Sequence, residues 1–194
     1  MKAIVFQNYL KEEPGKPEIT WYSVADSSLS NIGKPFYIPE DCGKVTVSLG
    51  IALKCCKLGK YIEPRFAYRY YKEFAPVLHF ILSDLRKLLT QKKLPWTSAV
   101  SFDKSVVIGD WRELPERPEG LNLILKLNGK IEREWHYNKM ICGPEILIHE
   151  FSKMNTIKMG DIMIPDVTEG LLINEGDYLE VLTDGKTAFS VKVK

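Results

Sequence analysis

The chain has 194 residues, 45% of them hydrophobic and 27% charged, a balance that fits one globular unit with a sizeable core and excludes disordered and fibrous classes. Its 27 Lys and Arg against 25 Asp and Glu leave a net charge of +2 spread along the chain, so there is no basic footprint for nucleic acid. No run approaches the roughly eighteen apolar residues of a membrane-spanning helix, and the four cysteines and three histidines lack structural zinc spacing.

Residues 1–6, basic and then briefly apolar, read as a first strand closed by Gln7 and Asn8. The run is too short for the apolar region of a signal peptide, so a cytoplasmic location is expected. Pro14, Gly15 and Pro17 mark an early polar loop, and residues 27–33 a second; neither is long enough for an interdomain linker. Over residues 45–53, Val45, Val47, Leu49 and Ile51 alternate with Thr46, Ser48 and Gly50, the period of a strand with one buried face. Residues 65–74 read as helical. From 75 to 92 two readings stand. Leu78, Leu82, Leu85 and Leu89 recur at helical spacing, yet residues 76–80 could equally form a short strand feeding a helix that starts near Ser83, a suitable N-cap.

Beyond Gly109 the pattern becomes β-rich. Residues 121–127 form a strand, and Asn128-Gly129 is a strong hairpin signal. A helix over 146–154 follows Pro144, a good helix starter, and Gly160-Asp161 and Gly176-Asp177 are turns that precede strands. The last hairpin turns at Asp184-Gly185. Cys42, Cys55, Cys56 and Cys142 read as reduced thiols, with Cys55 and Cys56 on opposite faces of a strand. The expected fold class is α+β, mainly β, with a few short helices in a single domain over residues 1–194.

Ordered landmarks run almost the length of the chain: Asn8-Tyr9, Lys34-Pro35-Phe36-Tyr37-Ile38-Pro39, Pro64-Arg65-Phe66-Ala67, Leu94-Pro95-Trp96, Ser101-Phe102-Asp103, then Asn128-Gly129 and the two Gly-Asp turns. In these the chain resembles the fumarylacetoacetate hydrolase family, in the compact branch of acylpyruvate hydrolases and oxaloacetate decarboxylases. The resemblance implies the mixed β-roll of that family's C-terminal domain and a homodimer. It also implies magnesium- or manganese-dependent C–C bond cleavage, in which the ion polarises a 1,3-dicarbonyl or 2-oxo acid.

The family's site residues do not carry over. The Glu-x-Glu metal pair corresponds to Ser48 and Gly50, the third ligand, an aspartate, to His79, and the arginine of that motif to Ser83. The glutamine that contacts substrate corresponds to Arg86, the lysine facing the metal to Val100, and the histidine of the lid to Glu12. The Thr-Gly-Thr-Pro loop corresponds to Pro165-Asp166-Val167-Thr168. Ser48, Gly50, His79, Ser83, Val100, Pro165 and Thr168 are therefore expected to be vestigial pocket positions, with no cofactor and the ancestral Mg/Mn site lost. Such concentrated loss points to a pseudoenzyme that binds a ligand or a protein partner, as a homodimer or a mixed oligomer with an active relative, and neither nucleic acid nor membrane. The alternative is a working hydrolase or decarboxylase of 2-oxo or 1,3-dicarbonyl acids with a rearranged or metal-free site, for which His79, Glu12 and Arg86 are the catalytic candidates. A Ser48–His79–Glu12 hydrolase lacks the usual nucleophile turn. Trp135-His136-Tyr137 either plugs an emptied pocket, the favoured reading, or stacks on a flat ligand.

Overall fold

The alternating residues 45–53 anchor the architecture. The computed structural model describes residues 1–9, 18–165 and 167–194. In it β1 (Ala3–Tyr9) and β2 (Glu18–Val24) form an antiparallel pair, and the short β3 (Leu29–Asn31) falls inside the stretch expected to be a loop. The long β4 (Val45–Cys55) is followed by one helical turn, α1 (Pro64–Ala67), and then by β5 (Tyr71–Leu82), which pairs with β4 along nearly its whole length. Helix α2 (Ser83–Gln91), the short strands β6 (Val106–Ile108) and β7 (Arg112–Glu113), and the hairpin β8 (Asn122–Leu127) and β9 (Lys130–His136) come next. Helix α3 (Pro144–Met154), β10 (Ile162–Ile164), β11 (Leu171–Ile173), β12 (Tyr178–Thr183) and β13 (Lys186–Lys192) complete the described chain.

The strands make two sheets. The larger is mixed, in the order β2-β1-β10-β4-β5-β6-β3, with β11 added to β4 and β7 to β5; the smaller is the antiparallel β13-β12-β8-β9. Between them lies the main core. Val47, Leu49 and Ile51 of β4 and Leu78 and Phe80 of β5 meet Leu123, Leu125, Val181 and Phe189 of the small sheet, while Phe36 stacks on Phe80 with ring centroids 3.7 Å apart. Because neighbouring side chains on a strand point to opposite faces, Thr46, Ser48 and Gly50 turn away from this core, with His79 directly opposite Ser48 in the β4–β5 register. That outer face carries the candidate site. Both predicted hairpins turn as their sequences require: Asn128 and Gly129 have φ of 51° and 84°, and Asp184 and Gly185 have 52° and 74°, the left-handed pairs of a type I′ turn.

Three local expectations are corrected. The first strand runs on through Gln7 and Asn8, whose backbones pair with Thr20 and Ile19 of β2. The helix expected over 65–74 stops after one turn and a short 3-10 segment, because Tyr71 and Phe74 are drawn into β5 and buried. The leucine series then divides, with Leu78 and Leu82 on the strand and Leu85 and Leu89 on α2. Ser83 is the first helical residue and not the cap: its hydroxyl donates to the Lys44 carbonyl while the Asp84 carboxylate accepts the Lys44 N–H, so α2 is tied to the root of β4. The Pro14–Pro17 loop lies outside the described residues.

The Gly160-Asp161 turn holds the chain's start. The buried Asp161 carboxylate accepts the Lys2 N–H at 2.9 Å on Oδ1 and the Lys158 N–H at 2.8 Å on Oδ2, which also lies 2.9 Å from the Lys2 ammonium. This clamp aligns β1 beside β10 in parallel. Among the described residues no helix is long and apolar enough to cross a membrane.

Candidate functional site

An open cleft of about 640 Å³ lies on the outer face of the large sheet. Thr46 and Ser48 of β4 and Ile81 of β5 line its floor beside Val5 and Tyr22, while α2 supplies one lip and residues 167–170 the other. The second lip is stitched to β4. Thr168 N–H donates to the Leu49 carbonyl at 2.7 Å, the Leu49 N–H donates to Thr168 Oγ1 at 3.0 Å, and Gly50 pairs through its backbone with Val167. From behind, the Arg133 guanidinium on β9 donates to the Glu169 and Gly170 carbonyls, fastening that lip to the small sheet.

His79 stands below this cleft and outside its lining, with 0% exposure. Its Nε2 lies 2.9 Å from the Val100 carbonyl and its Nδ1 3.2 Å from the Tyr22 hydroxyl. A carbonyl only accepts, so Nε2 carries the proton and Nδ1 accepts from Tyr22. Burial lowers the imidazole from its ordinary 6.5 to about 4; the Val100 bond opposes that shift and the charge of Arg86 adds to it. The result is a neutral ring with both nitrogens occupied. Val100 is buried at 0%, and its carbonyl also accepts from Ser105 Oγ at 3.4 Å. The space where His79 and Val100 meet is therefore filled, whereas the space above Ser48 and Ser83 stays open.

Among the expected positions the structure brings Ser48, Ser83, Arg86 and Thr168 to the cleft, places His79 and Val100 in the packed layer beneath, and buries Pro165 at the end of β10. Glu12 and Asp166 lie outside the described residues. A column of rings joins the two levels: the Arg86 guanidinium lies 5.0 Å from the Trp96 ring centroid, Trp96 meets Tyr22 edge-on at 5.2 Å, and Tyr22 lies 5.9 Å from His79. Sequence reasoning missed Tyr22, Lys87 and Glu169 as cleft residues and saw Trp96 only as a landmark. Tyr22 carried a usable signal, because a strand at residues 18–24 puts it on one face with Thr20 and Val24.

The residues present do not fit a magnesium or manganese ion. A hard dication takes several oxygen ligands, carboxylates first. Here Ser48 and Thr46 are neutral, Glu169 is the one carboxylate among the described lining residues, and Arg86 and Lys87 set two positive charges against a cation. Among the described residues no group of three His, Cys, Asp or Glu side chains is placed to hold a metal.

Trp135 does not plug the cleft. It is 3% exposed in the core between the sheets and borders a neighbouring cavity of about 460 Å³ with Arg133, Thr168 and Glu169. Among the described residues its buried indole N–H has no hydrogen-bond partner. Trp135→Phe is thus expected to cost less than about 1.5 kcal/mol, since it removes the stranded donor along with some volume, whereas Trp135→Ala costs about 4 kcal/mol. Urea unfolding of the two variants checks the contrast.

The family model described as "Fumarylacetoacetate (FAA) hydrolase C-terminal" matches residues 5–194. The mitochondrial oxaloacetate tautomerase FAHD1 of Mus musculus is 31% identical over 168 residues, covering 84% of this chain and 75% of the mouse protein. The corresponding Caenorhabditis elegans protein is 26% identical over 156 residues, 78% of this chain and 73% of its own. Among solved structures, fumarylpyruvate hydrolase from Pseudomonas aeruginosa in complex with Mn2+ and pyruvate superposes with a TM-score of 0.89 at 17% identity, covering 100% of this chain and 89% of that one. At that identity the likeness concerns the fold.

Proposed function

The chain belongs to the fumarylacetoacetate hydrolase family, and from that premise we propose that it is a catalytically degenerate member, one that binds a ligand or a protein partner and has given up dication-dependent C–C chemistry. One observation carries the reading. His79, at the position of the third metal ligand, is sealed beneath the cleft with both nitrogens engaged, while the paired carboxylates opposite it are Ser48 and Gly50. A neutral imidazole whose lone pair already accepts a hydrogen bond has nothing to offer a metal, and a serine beside a glycine supplies no charge. The same reading takes the protein to be cytoplasmic and a homodimer, alone or mixed with an active relative, which light scattering and co-purification would test.

The relatives suggest the reactions to assay. With the full chain, Mn2+ titrated by calorimetry is expected to show no stoichiometric site, and oxaloacetate and fumarylpyruvate no turnover that a chelator abolishes. Stoichiometric Mn2+ binding, or turnover that EDTA abolishes and Mn2+ restores, overturns the proposal. Arg86 and Lys87 at the cleft favour one competing reading, a metal-free enzyme that stabilises anionic intermediates with side-chain cations. Chelator-insensitive turnover that Arg86→Gln removes would establish it instead.

A further inference from the structure

Arg86 is an unusual charge. It is half-buried at the lip of the cleft with its guanidinium laid over Trp96, and among the described residues that guanidinium makes neither an ion pair nor a hydrogen bond. A guanidinium carries five N–H donors in a rigid fork that matches the two oxygens of a carboxylate or phosphate. Stacking on the indole face holds that fork in place without neutralising it. Its field also reaches inward, where it opposes protonation of His79.

The rest of the cleft agrees in sign and shape. Among the described lining residues Lys87 adds a second cation with no ion pair, and Glu169 across the opening is the one carboxylate. Ser48 and Thr46 offer hydroxyls at the floor, and Ile81 and Val167 offer apolar surface. A volume of about 640 Å³ lies within the range of small-molecule sites.

We propose that this cleft binds a small organic oxyanion without a metal ion, its carboxylate or phosphate head on the Arg86 guanidinium and its short body against Ile81 and Val167. The inference deepens the reading of a lost dication site and rests on it: the charge that a metal supplies elsewhere comes here from the α2 side chain.

Calorimetry on the EDTA-treated full chain tests it with three probes of similar size: malonate for a carboxylate head, glycerol phosphate for a phosphate head, and malonamide as the uncharged control. At least one charged probe is expected to bind, more weakly as salt is raised, and malonamide not to bind. The tighter charged probe identifies the head group. Arg86→Gln should weaken that probe by about tenfold or more, the loss expected for a charge-assisted pair of bonds, while Lys87→Gln weakens it by less. Should Arg86→Gln fail to fold, Arg86→Lys keeps the charge, loses the fork, and should still weaken binding several-fold. The proposal is overturned if neither charged probe binds, if malonamide binds as well as malonate, or if the Arg86 variants bind as well as the parent. Binding that appears only when Mn2+ is added overturns both this inference and the degenerate-site reading; absence of binding with and without Mn2+ overturns this inference alone.

Discussion

His79→Ala is expected to destabilise the protein by about 3 kcal/mol, through the cavity it leaves and the two buried hydrogen bonds it removes, to Tyr22 and to the Val100 carbonyl. A sharper signature is the pH dependence. The folded ring titrates at about 4 and the unfolded one at 6.5, so between those values the unfolded chain binds a proton that the folded chain does not. The contribution of neutral His79 is complete above 6.5 and declines as pH falls, reaching a loss of about 3 kcal/mol near pH 4, with no further loss below. His79→Gln can still donate to Val100 and accept from Tyr22 but does not titrate. Urea unfolding in steps from neutral pH to about pH 4 should therefore show wild type converging downward on the glutamine variant. Parallel curves for the two proteins would mean that His79 becomes charged inside the fold, and a charged, mobile His79 would reopen the catalytic reading.

The second large effect is expected at Asp161, outside the lining of the cleft. Asp161→Ala should cost about 3 kcal/mol, because two backbone N–H groups lose a charged acceptor in an enclosed place and the Lys2 ammonium loses its partner. Lys2→Met should cost under about 1 kcal/mol, since that side chain is 39% exposed and its charge is screened by water. Burial pushes the Asp161 carboxyl up, but the N–H donors of Lys158 and Lys2 and the Lys2 charge together hold it below its ordinary 3.8. Its stabilisation is accordingly present above 3.8 and lost only as pH falls through the lower folded value, a window beneath that of His79. Hydrogen exchange offers the local check: in Asp161→Ala, protection should fall first across β1 and β10, the strands this turn aligns, and uniform loss over both sheets would contradict the clamp.

Much of the fold was legible because its signals are local. The alternation from Val45 to Ile51 exposes strand period and inward face in a few residues, and Asn128-Gly129 and Asp184-Gly185 demand left-handed backbone that few other pairs adopt. Residues 65–74 misled for the complementary reason. Tyr71 and Phe74 have no strong strand pattern of their own, and they extend only because β4 offers a long partner and the intersheet core takes their rings. The strand reading of 76–80 was open in the sequence, and pairing with β4 decided it.

The candidate site divides along the same line. The chain alone determined the strand-rich material, its turns, and the residue types at the family's positions: a serine, a glycine and a histidine where carboxylates are expected, with Val100 for the lysine. It could not say which of these face a ligand. Only the tertiary structure decided that His79 and Val100 are packed against each other, that Ser48 and Ser83 border open space, and that Arg86 lies over Trp96 with its donors free among the described residues. The reason is physical: strand alternation assigns a side chain to a face, but depth, solvent access and charge on that face are set by elements distant in sequence, here β2, α2 and the 167–170 lip, that meet only when the sheets close.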